Sequence, residues 1–292
     1  MTRLKSIKWL SFILIFILSI SFISCNSKEK SKTIVTEGAT VIPVTPSEEK
    51  TPTEEIILEK EQYNIMVGTT EETTVYVFRS NVSGPTVFIT GGTHGDELAG
   101  WHAALRLLDR TDYRGTVIII PKLDAMGCKL EQRYPGINNG GMHDGIAYSN
   151  LNRVFPGDPN GNVTQKLAYE ITQEIAKYNP DYIVDLHESR SSYSTDTGSL
   201  LGEQLLYGNA RSALLCEDLV EIYNRTKAEE GDVPFGFDGP GVAGSLNNYY
   251  GMTLKVKGFT IETNRKLDLS KRIKQQLDLM DVFFNYIWFG EE

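Results

Sequence analysis

The chain has 292 residues, of which 40% are hydrophobic and 23% are charged, a composition typical of a soluble globular protein of one or two domains. The formal net charge is -9, and no stretch of clustered lysine and arginine offers the positive footprint that a nucleic-acid-binding protein needs. Only three cysteines occur, which excludes a small fold built on disulfides. The composition therefore favours an acidic globular protein without a nucleic-acid partner.

The first 24 residues predict an export leader. Three basic residues precede an almost wholly apolar run at 9–23, which is the pattern of a signal peptide. The run ends in Phe-Ile-Ser-Cys, which resembles the lipobox of bacterial lipoproteins and predicts lipidation of Cys25. An uncleaved anchor helix is the alternative, because 19 uncharged residues separate Lys8 from Lys28. Both interpretations predict attachment to the bacterial cell membrane, with the body of the protein outside the cytoplasm.

Residues 25–55 predict a disordered tether between the leader and a folded domain at 56–292. Serine, threonine, lysine, glutamate and proline dominate this segment, so it cannot bury enough apolar surface to offset the entropy of ordering it. Within the predicted domain only Cys128 and Cys216 remain, and the spacing leaves open whether they pair.

The predicted domain alternates short β-branched runs with longer helical stretches, which is typical of an α/β sandwich with a largely parallel sheet. Strands are predicted at 74–78, 86–90, 116–120, 182–186 and 258–262. Helices are predicted at 97–109, 163–177, 210–229 and 267–287. In open sheets of this kind ligands bind beyond the carboxyl ends of the strands, so chemistry is expected directly after these runs.

The first such site is the segment 91–97, Gly-Gly-Thr-His-Gly-Asp-Glu, which follows a predicted strand. Its His94 and Glu97 lie three residues apart at the start of a helix and can bind one cation. Alternatively, His94 caps the helix and Glu97 interacts with its positive end. His187, directly after another strand, favours the metal interpretation as a third ligand. Zinc is the natural candidate, although two histidines and a carboxylate also suit iron.

Further polar residues supply the other groups that a hydrolase needs. Glu188 is a less favoured ligand, because neighbouring side chains on a strand point to opposite faces. Glu262 closes the last predicted strand and is a candidate general base, or else a solvated acid. Arg133 and Arg153 can bind a substrate carboxylate and stabilise an oxyanion. Otherwise they form surface ion pairs worth ~0 to 1 kcal/mol each.

Five motifs occur in an order that resembles the succinylglutamate desuccinylase/aspartoacylase family, which belongs with the zinc carboxypeptidases. The resemblance covers roughly residues 85–265 and implies a zinc-carboxypeptidase-like three-layer sandwich with a mixed, mainly parallel sheet. The motifs are Gly-Gly-Thr-His-Gly-Asp-Glu at 91–97, Arg-Tyr at 133–134, Leu-Asn-Arg-Val-Phe-Pro-Gly at 151–157, Asp-Leu-His at 185–187 and Thr-Ile-Glu-Thr at 260–263.

The same resemblance implies a role for each matched residue. One zinc ion per chain would be held by the three residues proposed above, His94, Glu97 and His187. Arg133 would polarise the scissile carbonyl, Asn152 and Arg153 would hold the substrate carboxylate, and Glu262 would be the general base and acid.

Two features depart from the family pattern. Asn150 stands where the family often has aspartate, which affects the support of a ligand rather than a ligand itself. The segment 244–251 is more similar to the substrate loops of carboxypeptidases and murein-peptide hydrolases than to those of small-metabolite deacylases. Its Tyr249 and Tyr250 are candidate substrate-binding residues, although packing is the more common role for such tyrosines.

These observations predict a membrane-tethered, zinc-dependent hydrolase of amide bonds next to a carboxylate, of the carboxypeptidase or N-acyl amino acid deacylase type. Placement outside the cytoplasm favours peptide or peptidoglycan-stem substrates over free N-acyl amino acids. A non-catalytic lipoprotein that binds a carboxylated ligand is the competing hypothesis, but it has no need of a base at Glu262. An iron-dependent oxygenase would favour many short strands rather than the long helical stretches predicted here.

Overall fold

A computed structural model describes residues 55–136, 141–190 and 202–290. The predicted leader at 1–24, the lipidation site Cys25 and the tether up to residue 54 lie outside the described residues. Within the described part, none of the helices combines the length and the apolar character that crossing a bilayer requires.

The middle layer of the described structure is an eight-stranded mixed sheet. The sheet consists of β1 Leu58–Ile65, β2 Thr73–Ser80, β3 Thr86–Gly91, β4 Thr116–Ile120, β7 Tyr182–Ser189, β8 Gln204–Tyr207, β9 Gly236–Asp238 and β10 Lys257–Asn264. Two short strands, β5 Met142–His143 and β6 Ile146–Ala147, form a separate hairpin. The order across the sheet is β1-β2-β4-β3-β7-β10-β8-β9. The four central strands run parallel, whereas β1, β2 and β8 join antiparallel neighbours.

The helices cover both faces of this sheet and complete the three layers. They are α1 Leu98–Leu107, α2 Ala125–Leu130, α3 Val163–Tyr178, α4 Ala210–Thr226, α5 Leu246–Asn248 and α6 Leu269–Phe289. One apolar core lies between the sheet and α1, α4 and α6, and a second lies between the sheet and α3. The central strands are buried on both faces, which explains their continuous β-branched sequences. The predicted fold class is confirmed.

All the predicted strands and helices form, with shifted ends. Helix α3 begins at a capping box in which Asn162 and Gln165 bond each other's backbone N–H groups. Strands β7 and β10 run two or three residues beyond their predicted ends at 186 and 262. Polar residues led to the early predicted ends, but backbone pairing continues through them, with His187 opposite Glu262.

The strand order brings the predicted site together. Strands β3, β7 and β10 are neighbours, so the loop after β3, His187 on β7 and Glu262 on β10 meet at the carboxyl edge of the sheet. The loop after β3 packs closely on α2. A Cβ atom at Gly95 would lie 1.9 Å from the carbonyl carbon of Gly127, so only glycine fits there.

Candidate metal centre and its pocket

His94, Glu97 and His187 form a buried cluster at this edge of the sheet. The Nδ1 atom of His94 lies 2.8 Å from Oε1 of Glu97, and Nδ1 of His187 lies 2.7 Å from Oε2 of the same carboxylate. One ligand atom from each of the three residues lies within 4.8 Å of the others. The three residues are 2% to 3% exposed. Two imidazoles and a carboxylate at these distances could bind one metal ion.

The outer nitrogen of each imidazole is held by an oxygen atom. Nε2 of His94 lies 3.1 Å from Oδ1 of Asn150, and Nε2 of His187 lies 2.7 Å from Oδ2 of Asp185. Each oxygen can accept an Nε2–H bond, which leaves the Nδ1 lone pair free to face a cation. This hydrogen-bond pattern is the one that supports metal-binding histidines, so the residues present fit a metal ion.

Asp185 is itself fixed by two hydroxyl groups. Its Oδ1 accepts hydrogen bonds from Oγ1 of Thr90 at 2.7 Å and from Oγ1 of Thr93 at 3.0 Å. The sequence reasoning assigned no role to these three residues. A signal was present for Asp185, because residues two apart on a strand point to the same face, and Asp185 precedes His187 by two.

The charges in the cluster oppose one another. Burial alone would raise the pKa of Glu97, but the facing imidazoles of His94 and His187 lower it well below its ordinary value. Burial likewise disfavours the charged form of His187, yet the carboxylates of Asp185 and Glu97 raise its pKa well above the ordinary value. The pKa of His94 is lowered, chiefly by burial. The carboxylates of Glu97 and Asp185 thus stabilise positive charge at the centre of the cluster.

Glu262 lies beside the cluster in the same pocket. It is 8% exposed, and burial raises its pKa to about 8, while the neighbouring His187 lowers it. A cation bound beside it would lower this pKa towards neutrality. A carboxyl group that titrates near neutral pH is suited to accept and return a proton. The structure therefore does not place Glu262 as a solvated strand-end acid.

The pocket has a volume of about 460 Å³ and is lined by the cluster, Glu262 and three other predicted residues. Nη1 of Arg133 lies 3.0 Å from Oε1 of Glu97. The side-chain oxygen of Asn152 accepts a hydrogen bond from the backbone N–H of Leu246 at 3.0 Å, which joins two walls of the pocket. Arg153 donates to the backbone oxygen of Asn152. All three predicted substrate-facing residues thus line one cavity.

Tyr249 and Tyr250 do not reach this pocket, which corrects their assignment as substrate-binding residues. The side chain of Tyr250 is completely buried in the core beneath α3, and Tyr249 packs against the same core. They lie in a π-helical turn, Tyr249–Leu254, and neither belongs to the residues that line the cavity. Packing, the alternative weighed for them, is their role in the structure.

Two further alternatives are resolved by contacts. The carboxylate of Glu188 accepts the backbone N–H of Ala99 at 2.9 Å and forms an ion pair with Arg272, so it is bound on the helix side of the sheet rather than in the cluster. Cys128 and Cys216 are both buried and free.

Comparisons with known proteins agree with the fold and the motifs. Residues 83–214 match the family model of the succinylglutamate desuccinylase/aspartoacylase catalytic domain. The N-alpha-acetyl-L-2,4-diaminobutyric acid deacetylase of Halomonas elongata is 39% identical over 107 residues, which are 36% of this chain and 28% of that protein. The resemblance inferred from the ordered motifs is thereby confirmed.

Solved structures show the same fold. The mDAP-bound form of Csd4, a D,L-carboxypeptidase of Helicobacter pylori, aligns with a TM-score of 0.59 and 17% identity over 70% of this chain and 51% of that one. A succinylglutamate desuccinylase/aspartoacylase from Rhodobacter sphaeroides aligns with a TM-score of 0.54 and 22% identity over 74% of this chain and 59% of that one. This chain thus matches only part of each relative's length.

Proposed function

Residues 83–214 match the catalytic domain of a deacylase family, and on that premise we propose that the chain is a zinc-dependent hydrolase of amide bonds next to a carboxylate. The observation that carries the proposal is the meeting of a buried His-Glu-His cluster with Glu262 and Arg133 in one pocket. A protein that only binds a carboxylated ligand needs no buried acid beside such a cluster.

Zinc held by His94, Glu97 and His187 would supply Lewis acidity to the scissile carbonyl and to water. The chain's own residues do the rest. Glu262, whose carboxyl group faces the same cavity, takes a proton from the attacking water and passes it to the departing nitrogen. The Arg133 guanidinium, which hydrogen-bonds the edge of the cluster, stabilises the developing oxyanion.

The substrate carboxylate is assigned to Arg153 and Asn152. Arg153 is exposed towards the cavity and forms no ion pair within the described residues, so its guanidinium can bind a carboxylate with two parallel hydrogen bonds. Asn152 stabilises the adjacent cavity wall, because its Oδ1 atom accepts a hydrogen bond from the N–H of Leu246. A carboxylate bound there would lie beside the cluster, and the amide bond would be oriented towards Glu262.

We further propose that the mature protein is a lipoprotein anchored at Cys25 on the outer side of a bacterial membrane. The leader and lipobox sequences support this location. A hydrolase placed there meets peptides and peptidoglycan stems more readily than cytosolic N-acyl amino acids. The fold shared with a D,L-carboxypeptidase that was solved with mDAP supports peptide substrates. The similarity to a deacetylase supports N-acyl amino acids as the second substrate class to be tested.

The purified full-length protein tests the proposal. Elemental analysis should find about one zinc per chain, and one of two substrate sets, muropeptides or N-acyl amino acids, should be hydrolysed. Glu262→Gln should retain zinc and lower kcat by about two to four orders of magnitude. Glu217→Gln is a matched control, because it removes the same charge from an exposed position on α4. Hydrolysis by Glu262→Gln at the wild-type rate would defeat the mechanism.

A further inference from the structure

One acidic side chain of the pocket has no role in the mechanism above. Asp238 ends β9, the edge strand of the sheet, and lines the same cavity as His94 and Glu262. Its backbone lies in register with Leu206 of β8, another residue of the cavity wall. The sheet therefore fixes the position from which the Asp238 carboxylate faces the cavity.

The Asp238 carboxylate lacks a counter-ion within the described part of the chain. Its Oδ1 atom accepts one hydrogen bond, from the backbone N–H of Gly239 at 2.7 Å, and no basic side chain lies within ion-pair distance. The internal ranges that the structure does not describe, 137–140 and 191–201, contain no lysine, arginine or histidine in their sequence. Arg153 and Arg190 line the same cavity, but neither forms an ion pair with Asp238 among the described contacts.

Other acids around the site are neutralised. Glu97 is bonded to Arg133, Glu188 forms an ion pair with Arg272, and Asp96 forms one with Arg265 at 2.9 Å. Asp238 differs from these three because it is half-buried at the cavity wall with no such partner. Keeping a carboxylate unpaired beside a cavity has a cost that a cationic ligand would remove.

Two arginines that form no ion pair among the described residues, Arg153 and Arg190, line the same cavity. Arg153 donates only to the backbone oxygen of Asn152 among the described contacts. The loop that follows Asp238 is tied to the Arg153 segment, because the N–H of Phe155 bonds the oxygen of Gly244 at 3.0 Å. Asp238 and Arg153 thus lie on two hydrogen-bonded segments of the cavity wall and do not form an ion pair with each other. Such a pair of walls complements a ligand that carries both a carboxylate and an ammonium group.

We propose that Asp238 is a specificity residue that binds an ammonium group of the substrate, so that the preferred substrate is an amide carrying both a carboxylate and a free amine. The inference rests on the proposed hydrolase function and narrows its substrate class. Arg153 receives the carboxylate and Asp238 receives the ammonium through charge-assisted hydrogen bonds in a partly desolvated cavity.

Matched substrates that differ by one amino group test this proposal on the full-length protein. N-acetyl-2,4-diaminobutyrate is compared with N-acetyl-2-aminobutyrate, and N-acetylglycyl-2,4-diaminobutyrate with N-acetylglycyl-2-aminobutyrate. The wild-type protein should favour the charged member of the hydrolysed pair by about tenfold in kcat/KM. Asp238→Asn, which keeps an oxygen for the N–H of Gly239, should remove most of that preference. Glu217→Gln, an exposed charge-matched control, should keep it.

Calorimetric binding of 2,4-diaminobutyrate and 2-aminobutyrate to the same three proteins separates this inference from the proposed function. Equal hydrolysis of both members by the wild type, or an undiminished preference in Asp238→Asn, overturns the role of Asp238 and leaves the hydrolase intact. If no substrate is hydrolysed, the hydrolase proposal fails for these compounds. The binding measurement then tests the role of Asp238 by itself. Weaker binding of 2,4-diaminobutyrate to Asp238→Asn supports the subsite, whereas equal or undetectable binding to the wild type and the variant overturns it.

Discussion

Two groups of carboxylates lie equally deep in this protein and differ in what faces them. Glu97 is 3% exposed and lies between the imidazoles of His94 and His187. Glu71 and Asp124 are 1% and 2% exposed and face each other beneath helix α2. Backbone N–H groups at the start of α2 bond both of these carboxyl groups, but no basic side chain of the described residues forms an ion pair with either.

The pKa shifts of the two groups are opposite. Burial raises the pKa of Glu71 to about 7 and that of Asp124 well above its ordinary value. Burial also acts on Glu97, but the two imidazoles reverse it and hold the pKa of Glu97 well below the ordinary value. Depth alone therefore keeps a carboxyl group protonated, and facing positive charge is what keeps it ionised. The first group is suited to hold a cation, and the second holds a proton.

The largest expected effect comes from removing charge from the cation-holding group. Glu97→Gln should bind almost no zinc and should lose hydrolysis, because one of three ligands and the central negative charge are gone. Elemental analysis of the purified variant measures this. Glu71→Gln removes a carboxyl group of similar burial and should retain zinc. Stoichiometric zinc in Glu97→Gln would show that the cluster is not the metal site.

The next effect concerns the guanidinium at the edge of the same group. Arg133→Ala should lower turnover by about two to three orders of magnitude, because an oxyanion donor of this kind contributes ~3 kcal/mol to the transition state. Steady-state kinetics measure the change, with zinc content as a check on folding. Arg106→Ala, which removes an exposed arginine from α1, serves as the control. Wild-type turnover in Arg133→Ala would remove Arg133 from the mechanism.

A smaller effect is expected from the residues that hold the imidazoles. Asp185→Asn should weaken zinc affinity by about 10- to 100-fold, since a carboxylate raises the basicity of the histidine that it supports. Asn150→Asp places a carboxylate against His94 and should shift affinity in the opposite direction. Competition with a chromogenic chelator measures both variants. Identical affinities in the wild type and both variants would contradict this account of the supporting bonds.

The smallest effect concerns the proton-holding pair and appears as pH-dependent stability. The pKa of Glu71 is about 7 in the folded protein and 4.5 for an ordinary glutamate, so the native state binds more protons between these pH values. This contribution to stability is fully present below pH 4.5 and is lost as the pH rises through 7. Each pH unit in that window costs up to about 1.4 kcal/mol per proton.

Glu71→Gln tests that dependence by urea unfolding at a series of pH values. The variant cannot ionise at this position, so its free energy of unfolding should fall less steeply between pH 4.5 and 7 than that of the wild type. Asp124 titrates together with Glu71, so the wild-type curve reports the pair rather than one residue. Parallel curves for the two proteins would show that folding does not raise the pKa of Glu71.

Much of the fold could be predicted because hydrophobic periodicity and helix caps are local signals. The β-branched runs at 86–90 and 116–120 became buried parallel strands, and the helix at 163–177 formed with its capping box. The ends of β7 and β10 could not be read in the same way. Polar residues such as His187, Glu188 and Asn264 are usually found outside buried strands, yet all three are buried here as strand residues, and His187 belongs to the site rather than to the core.

The sequence by itself determined which residue types stand at the ends of the central strands, and the ordered motifs determined the family that they resemble. Only the tertiary structure decided which of them meet. In the folded chain, Asp185 and Asn150 contact the outer nitrogens of the two imidazoles. The side chain of Glu188 lies on the opposite face of the sheet, and Tyr250 is buried in the core. The tertiary structure also brought Asp238 to the cavity wall from a remote edge strand. The physical reason is that strand order and side-chain facing depend on packing between segments far apart in the chain, which no local pattern encodes.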